Sequence, residues 1–290
     1  MNRKEKPHAK IELRRISRVF FTRKVVLFGF IVIVIFIFTA LFPFLLTPYD
    51  PYRQQLEETL RPPSAKHLLG TDAIGRDTYT RIIYGARTSL VTGVFATFLA
   101  ASFGMAMGLL AGFYGGITGT AIMRFTDAIM CFPPILSALV ISGLLGAGLR
   151  NVVIAIGVTL LPAYCRLMYA QTITVKENDY VLAARSLGAT NLRIMLRHVL
   201  PNCFPPLIVL ITMNMGTAIL SEAGLSFLGV GIKPPLPAWG AMVSEGYLYL
   251  RSHPVLSFAP GLAIMLVVFA FNMVGDGLRD ALDPRLRGRI

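Results

Sequence analysis

Val25-Val-Leu-Phe-Gly-Phe-Ile-Val-Ile-Val-Ile-Phe-Ile-Phe-Thr-Ala-Leu-Phe-Pro-Phe-Leu-Leu46 carries no charge from end to end. At ~1.5 Å per helical residue the run is long enough to cross a hydrocarbon core of ~30 Å. Basic residues precede it, as in a secretory signal. The run exceeds the ~7–15 apolar residues of a cleavable core, however, and Pro43-Phe-Leu-Leu-Thr-Pro48 follows where a small-x-small cleavage site would stand. It is therefore expected to remain as a first transmembrane helix, residues 25–46, after a cytoplasmic segment, 1–24.

The rest of the chain repeats the pattern. Five further apolar stretches of spanning length lie at about 88–112, 119–145, 152–174, 203–222 and 259–277. The chain is 54% hydrophobic and 15% charged, with mean hydropathy +0.63; soluble domains carry roughly 25% charged residues. The expected fold is an all-α integral membrane protein of about six transmembrane helices. An external loop, 47–87, would separate the first helix from a five-helix core, 88–290.

Orientation follows from lysine and arginine. Nine lie in the N-terminal segment, five between spans four and five, and four near the C-terminus, so eighteen share one side against nine on the other. The positive-inside rule places both termini and the 175–202 loop in the cytoplasm. The same distribution accounts for the net charge of +13 without nucleic acid, because the basic residues cluster beside spans.

Two spans have readable faces. Ala96, Ala100, Gly104, Gly108 and Gly112 recur every four residues. Small side chains on one side of a helix let another helix approach closely, within the chain or from a partner. Pro133 and Pro134 should kink or break the third span, either as a bend or as part of a pathway lining. Trp239, the only Trp, reads as an interface anchor or as a contact for an external partner.

Charges within spans bear on the energy source. Secondary transporters place costly acids near mid-membrane. Here Arg124 and Asp127 are spaced to pair on one helical face, while Glu222 and Asp276 sit at span ends, where partners or water would satisfy them. No proton relay is visible. A P-loop ends in Lys followed by Ser or Thr, and no lysine in the chain is so followed. Three separated cysteines and four scattered histidines show no metal spacing and read as packing residues.

The segment Asn178-Asp-Tyr-Val-Leu-Ala-Ala-Arg-Ser-Leu-Gly-Ala-Thr-Asn-Leu-Arg-Ile-Met-Leu-Arg-His-Val-Leu-Pro201 reads as two short helices. Asn178 or Asp179 can cap the first, and Gly188 suits the left-handed position after it. Thr190 or Asn191 can cap the second. Its apolar residues Leu192, Met195, Leu196 and Val199 follow i, i+3, i+4, i+7, and Pro201 is expected to stop it before span five. Ala183 and Ala184 keep the first helix thin enough to enter a groove on another protein. An amphipathic hairpin lying on the membrane accounts for the pattern equally well.

This stretch resembles the EAA coupling motif of ABC importer permeases: Ala183, Ala184, Gly188, Val199, Leu200 and Pro201 match, with Leu182 where the motif has Glu. Leu69-Gly-Thr-Asp-Ala-Ile-Gly-Arg-Asp77 with Gly85-Ala-Arg-Thr-Ser-Leu90 is similar to the region after span one in C-type permeases of dipeptide, oligopeptide and nickel importers. Leu225-Ser-Phe-Leu-Gly-Val-Gly231, Pro237-Ala-Trp-Gly-Ala-Met242 and the C-terminal Phe271-Asn-Met-Val-Gly-Asp-Gly-Leu-Arg-Asp-Ala-Leu-Asp-Pro284 resemble that group as well.

The resemblance implies a non-enzymatic translocation subunit in a prokaryotic cytoplasmic membrane. It implies a second, B-type permease, two ATPase subunits carrying ATP and magnesium, and an external binding protein delivering peptide. This chain would hold no cofactor. The coupling contacts would come from Asp179, Tyr180, Ala183, Ala184, Arg185, Gly188, Ala189 and Pro201. Glutathione and nickel importers share these motifs. A self-powered transporter would need mid-membrane acids, and an intramembrane enzyme would need a nucleophile–base or metal set; the sequence offers neither.

Overall fold

The computed structural model describes residues 23–282. The segments 1–22 and 283–290, with most of the basic residues assigned to the two termini, lie outside the described residues. Long helices dominate: α1 (Lys24–Leu41), α2 (Thr78–Tyr114), α3 (Gly116–Met130), α4 (Pro134–Leu145), α5 (Leu149–Lys176), α6 (Asp179–Ser186), α7 (Asn191–Phe227), α8 (Trp239–Tyr247) and α9 (Val255–Leu282). Among the described residues there is no strand, only an isolated bridge between Thr71 and Asp77.

Five of these helices are long and apolar enough to span a membrane, and α3 and α4 form a pair bent by 87°. Whether that pair crosses is settled by the direction of its neighbours. A Cβ at Gly104 would meet Leu161 and Tyr164, one at Gly108 would meet Cys165 and Met168, and one at Gly112 would meet Thr172. Helices α2 and α5 therefore run parallel. The chain leaves α2 at one end of the bundle and enters α5 at the other, so α3 and α4 together make the return crossing. The break expected at Pro133–Pro134 is thus a broken span. Residues 131–133 carry no helix, and Pro134 opens α4 at the first-turn position where its missing N–H costs nothing.

The same close approaches establish the small-residue stripe as an intrachain packing face. At Gly108 the added Cβ would stand 2.3 Å from the Cys165 carbonyl oxygen. Two backbones meet here because the side chains are missing. Around this seam α7 runs antiparallel to α2, with Ile219 against Gly93, and α9 packs along α7 through Gly216 and Gly275. Helix α1 closes the outside. Gly29 lies against Ala270 and Met273, Val26 against Gly277, and Arg23 pairs with Asp280.

Several expectations change. Helix α2 begins at Thr78, ten residues before the apolar window, so the tail of the 47–87 loop is helical. Asp77 caps it, its Oδ2 accepting from the Thr80 N–H at 2.7 Å and the Thr80 hydroxyl at 2.6 Å. At 37 residues α2 is ~55 Å long and outreaches the hydrocarbon core. Trp239 is neither an interface anchor nor an exposed contact. It is 3% exposed, donates Nε1–H to the Ile82 carbonyl at 2.9 Å, and packs against Gly85 and Phe36. Asp127 pairs with Arg166 across to α5 at 2.5 Å rather than with Arg124. Asp276 is exposed at its span end, whereas Glu222 is wholly buried and takes a 2.7 Å hydrogen bond from Ser226. Cys165 and Cys203 pack in the core, but Cys131 is exposed at the break.

Candidate functional site

The segment expected to couple the permease to its ATPases, residues 178–201, closes one end of the bundle. It joins α5 to α7, and the Lys176 ammonium donates to the Gly112 carbonyl at the C-terminal end of α2. A cleft of about 630 Å³ opens at this end, where Arg279 and Leu282 of α9 face Gln171 of α5 and Asn202 of α7. Both ends of the described chain and the coupling segment therefore share one end of the molecule.

Helix α6 ends as the sequence requires. Gly188 lies at φ +81°, the left-handed region open to glycine. Its N–H bonds to the Arg185 carbonyl at 3.0 Å and the Ala189 N–H reaches back to Ala184 at 3.1 Å. These two bonds are a Schellman closure, satisfying carbonyls the helix end would orphan. Thr190 then caps α7, accepting from the Arg193 N–H at 3.4 Å. At the other end of α6, Asn178 occupies the cap position without a side-chain hydrogen bond.

One residue of α6 anchors it: Val181 is wholly buried, with Ile194, Met195 and Val199 of α7 and Phe113 of α2 in the same apolar cluster. The apolar face expected for the second helix is therefore split. Met195 and Val199 turn inward, while Leu192 and Leu196 are exposed. A π-helical turn follows at Met195–Val199, where the Leu200 N–H reaches the Met195 carbonyl. The wider turn shifts the register and absorbs Pro201 at the start of the next helical stretch. Pro201 does not stop the helix, and Asn191–Phe227 runs on into the span.

The predicted contact residues fall on the outer surface. Asp179, Tyr180, Ala183, Arg185, Gly188 and Pro201 are exposed, and Ala184 and Ala189 are half-buried. Arg185 also lies over the Phe113 ring, 5.9 Å from its centroid. Tyr180, Ala183 and Leu187 form an outward stripe at i, i+3, i+7, with Leu187 89% exposed. Leu192 and Leu196 of α7 are exposed as well. Sequence reasoning missed the anchor, Val181. Its signal was the single β-branched residue in α6, set three positions before the half-buried Ala184.

The opposite end is a polar knot. His67 bonds Asp77 at 2.8 Å and Glu58 at 3.1 Å, and Glu58 also pairs with Lys66. Arg76 joins Asp72 at 2.5 Å and Glu245 at 2.9 Å. Lys66, with a smaller contribution from His67, holds the Glu58 carboxyl below the usual carboxylate range.

With this geometry in view, comparison with known proteins is decisive. Residues 104–288, spanning the coupling segment, match the family "binding-protein-dependent transport system inner membrane component". The chain belongs to that family. Residues 13–63 match the N-terminal transmembrane domain of oligopeptide transport permease C, which sets this permease among the C-type subunits of ABC importers. It is 44% identical over 264 residues to the dipeptide transport system permease protein DppC of Alkalihalophilus pseudofirmus, covering 91% of this chain and 87% of that one. It is 45% identical to the di/tripeptide permease DppC of Pseudomonas aeruginosa, covering 89% and 88%. The glutathione transport system permease protein GsiD of Escherichia coli is 42% identical, covering 88% and 85%. Among solved structures, the MetNI methionine ABC transporter shares the fold at TM-score 0.57 and 18% identity, covering 70% of this permease and 96% of that chain. This permease is accordingly a multi-pass inner-membrane protein.

Proposed function

We propose that this permease is the C-type half of a translocation pathway that moves dipeptides or oligopeptides into the cytoplasm. A B-type permease forms the other half, two ATPase subunits supply the energy, and an external binding protein delivers the cargo. The coupling end, with both termini, faces the cytoplasm. The single observation that carries this reading is α6, with Val181 its one buried residue and Gly188 at φ +81° closing it. Its outer stripe of Tyr180, Ala183 and Leu187 is left for a groove on an ATPase. Closure of the ATPases on ATP then pushes on α6, and the rigid seam between α2 and α5 carries the displacement through the membrane. Peptide cargo rests on the dipeptide and di/tripeptide permeases that this chain resembles. The glutathione permease at 42% identity supports a second cargo, itself a small peptide.

The test is purification of the tagged chain from its native membrane, with mass spectrometry of the co-purifying proteins and of released small molecules. Two ATPases, a second permease and a peptide-loaded binding protein are expected. A lone chain that transports without ATP would overturn the proposal, and nickel in place of peptide would overturn the cargo.

A further inference from the structure

The break between α3 and α4 stands open. Residues 130–136 are all exposed, uncovered by the rest of the described bundle. Pro133 and Pro134 bring no N–H, so the carbonyls four residues earlier, on Ile129 and Met130, lose their helical donors. Inside a membrane, broken backbone is tolerated where protein buries it or where it lines a water-filled cavity, and not against lipid.

Charge gathers at the same place. Arg124, Asp127 and Cys131 follow i, i+3, i+7 along α3, and Ala163, Arg166 and Ala170 keep the same spacing along α5. Asp127 is half-buried and the other five are exposed. The Asp127–Arg166 hydrogen bond of 2.5 Å ties one stripe to the other, with the two side chains still 39% and 48% exposed. Cys131 donates its thiol to the Asp127 carbonyl. Arg166 stands ten residues, ~15 Å, before the end of α5 at Lys176, well within a hydrocarbon core of ~30 Å.

Charges at such depth face a bundle interior or a water-filled cavity. This pair points out of its own bundle, so the cavity lies beyond it. Helix α1 shows the contrast of a lipid face, where Phe28, Ile31, Ile35 and Phe38 are all large, apolar and exposed. The next stripe of α3, with Phe125 and Phe132, is likewise apolar and borders an open recess of about 420 Å³. The stripe through Asp127 is too polar for lipid. A dry protein seam would strip water from two ions joined by a single hydrogen bond and leave their other groups unmet. Water satisfies both the ions and the broken backbone.

We propose that the polar stripes of α3 and α5, joined by the Asp127–Arg166 pair, line the water-filled route that cargo takes across the membrane, with the second permease closing its far side. This rests on the two-permease reading given above and adds the wall that this chain supplies.

The test uses the complete transporter in proteoliposomes, supplied with the binding protein, and takes the native Cys131 as its probe. Cys165 and Cys203 are buried, and Cys131→Ser gives the background from other thiols of the complex. The membrane-impermeant reagent sulfonatoethyl methanethiosulfonate is placed on both sides, with and without a non-hydrolysable ATP analogue. Uptake of alanyl-leucine and of nickel is followed before and after. Cys131 is expected to be modified in at least one nucleotide state, lowering uptake at least tenfold, while uptake by Cys131→Ser resists the reagent. In the Cys131→Ser background, Ala163→Cys should restore both effects, and Ile35→Cys on α1 should not react. A Cys131 that escapes the reagent in both nucleotide states, or is modified without slowing uptake, overturns the assignment of the wall; uptake of alanyl-leucine by the untreated transporter leaves peptide cargo standing in either case. Reagent-sensitive uptake of nickel alone leaves the wall and overturns the cargo reading.

Discussion

Val181 and Gly188 divide the work of α6 between them. Val181 is the only side chain of α6 buried in the bundle; Gly188 sets the angle at which the chain turns back, with open space where a Cβ would stand. A side chain at Gly188 therefore meets no neighbour and acts only through the backbone, where the left-handed region costs an L-residue ~1–2 kcal/mol and more when it is β-branched. Val181→Ala removes two buried methyl groups, roughly 1.5–3 kcal/mol of local anchoring. Amides 179–190 are expected to exchange at least tenfold faster with the rest of the bundle unchanged, as read by hydrogen exchange. At the far end, Glu58 has a depressed pKa, chiefly through Lys66. A depressed carboxylate stabilises fully above its unfolded value of ~4.3 and loses that contribution as pH falls through its folded value. The contribution of Glu58 to the 58–77 knot should be complete at neutral pH and be lost only below the ordinary carboxylate range, with Glu58→Gln removing that acid step from the exchange of the Thr71 amide.

At the scale of elements, the seam between α2 and α5 is the rigid part. Gly108→Ala places a Cβ 2.3 Å from a backbone oxygen, whereas Gly143→Ala in α4 meets nothing within 4 Å. Both changes gain ~1 kcal/mol of helix propensity, so only packing separates them. Gly108→Ala should lower the melting temperature in detergent by several degrees, and Gly143→Ala should leave it unchanged or raise it. The small-residue period, the proline break and the glycine turn were legible because each is a local rule. The start of α2 was not, since Arg81 and Arg87 interrupt the apolar window and the cap at Asp77 outweighs them. The π turn was hidden as well: Pro201 reads as a stop unless a wider turn upstream frees it from its missing hydrogen bond. Glu222 at a span end and Trp239 in the stretch after it look interfacial until tertiary packing closes over them.

For the whole molecule, the crossing count is a matter of direction. Parallel α2 and α5 require α3 and α4 to cross together, and the two described termini meet at the coupling end. With Cys131 replaced by Ser, a cysteine at the exposed Leu187 should react with impermeant thiol reagent only from the cytoplasmic side. One at Leu248, 80% exposed, should react only from outside. The number of crossings could be read in the sequence because hydropathy is a sum over many residues. The tie from Arg76 to Glu245 could not, because it joins residues 169 positions apart. The coupling role itself is tested by the ratio of peptide imported to ATP hydrolysed in the reconstituted transporter, comparing wild type, Gly188→Asn and Gly188→Val. Asparagine tolerates the left-handed turn and should stay near the wild-type ratio. Valine should insert normally and hydrolyse ATP while the ratio falls at least tenfold; normal uptake by Gly188→Val would contradict the assignment of α6 as the coupling element.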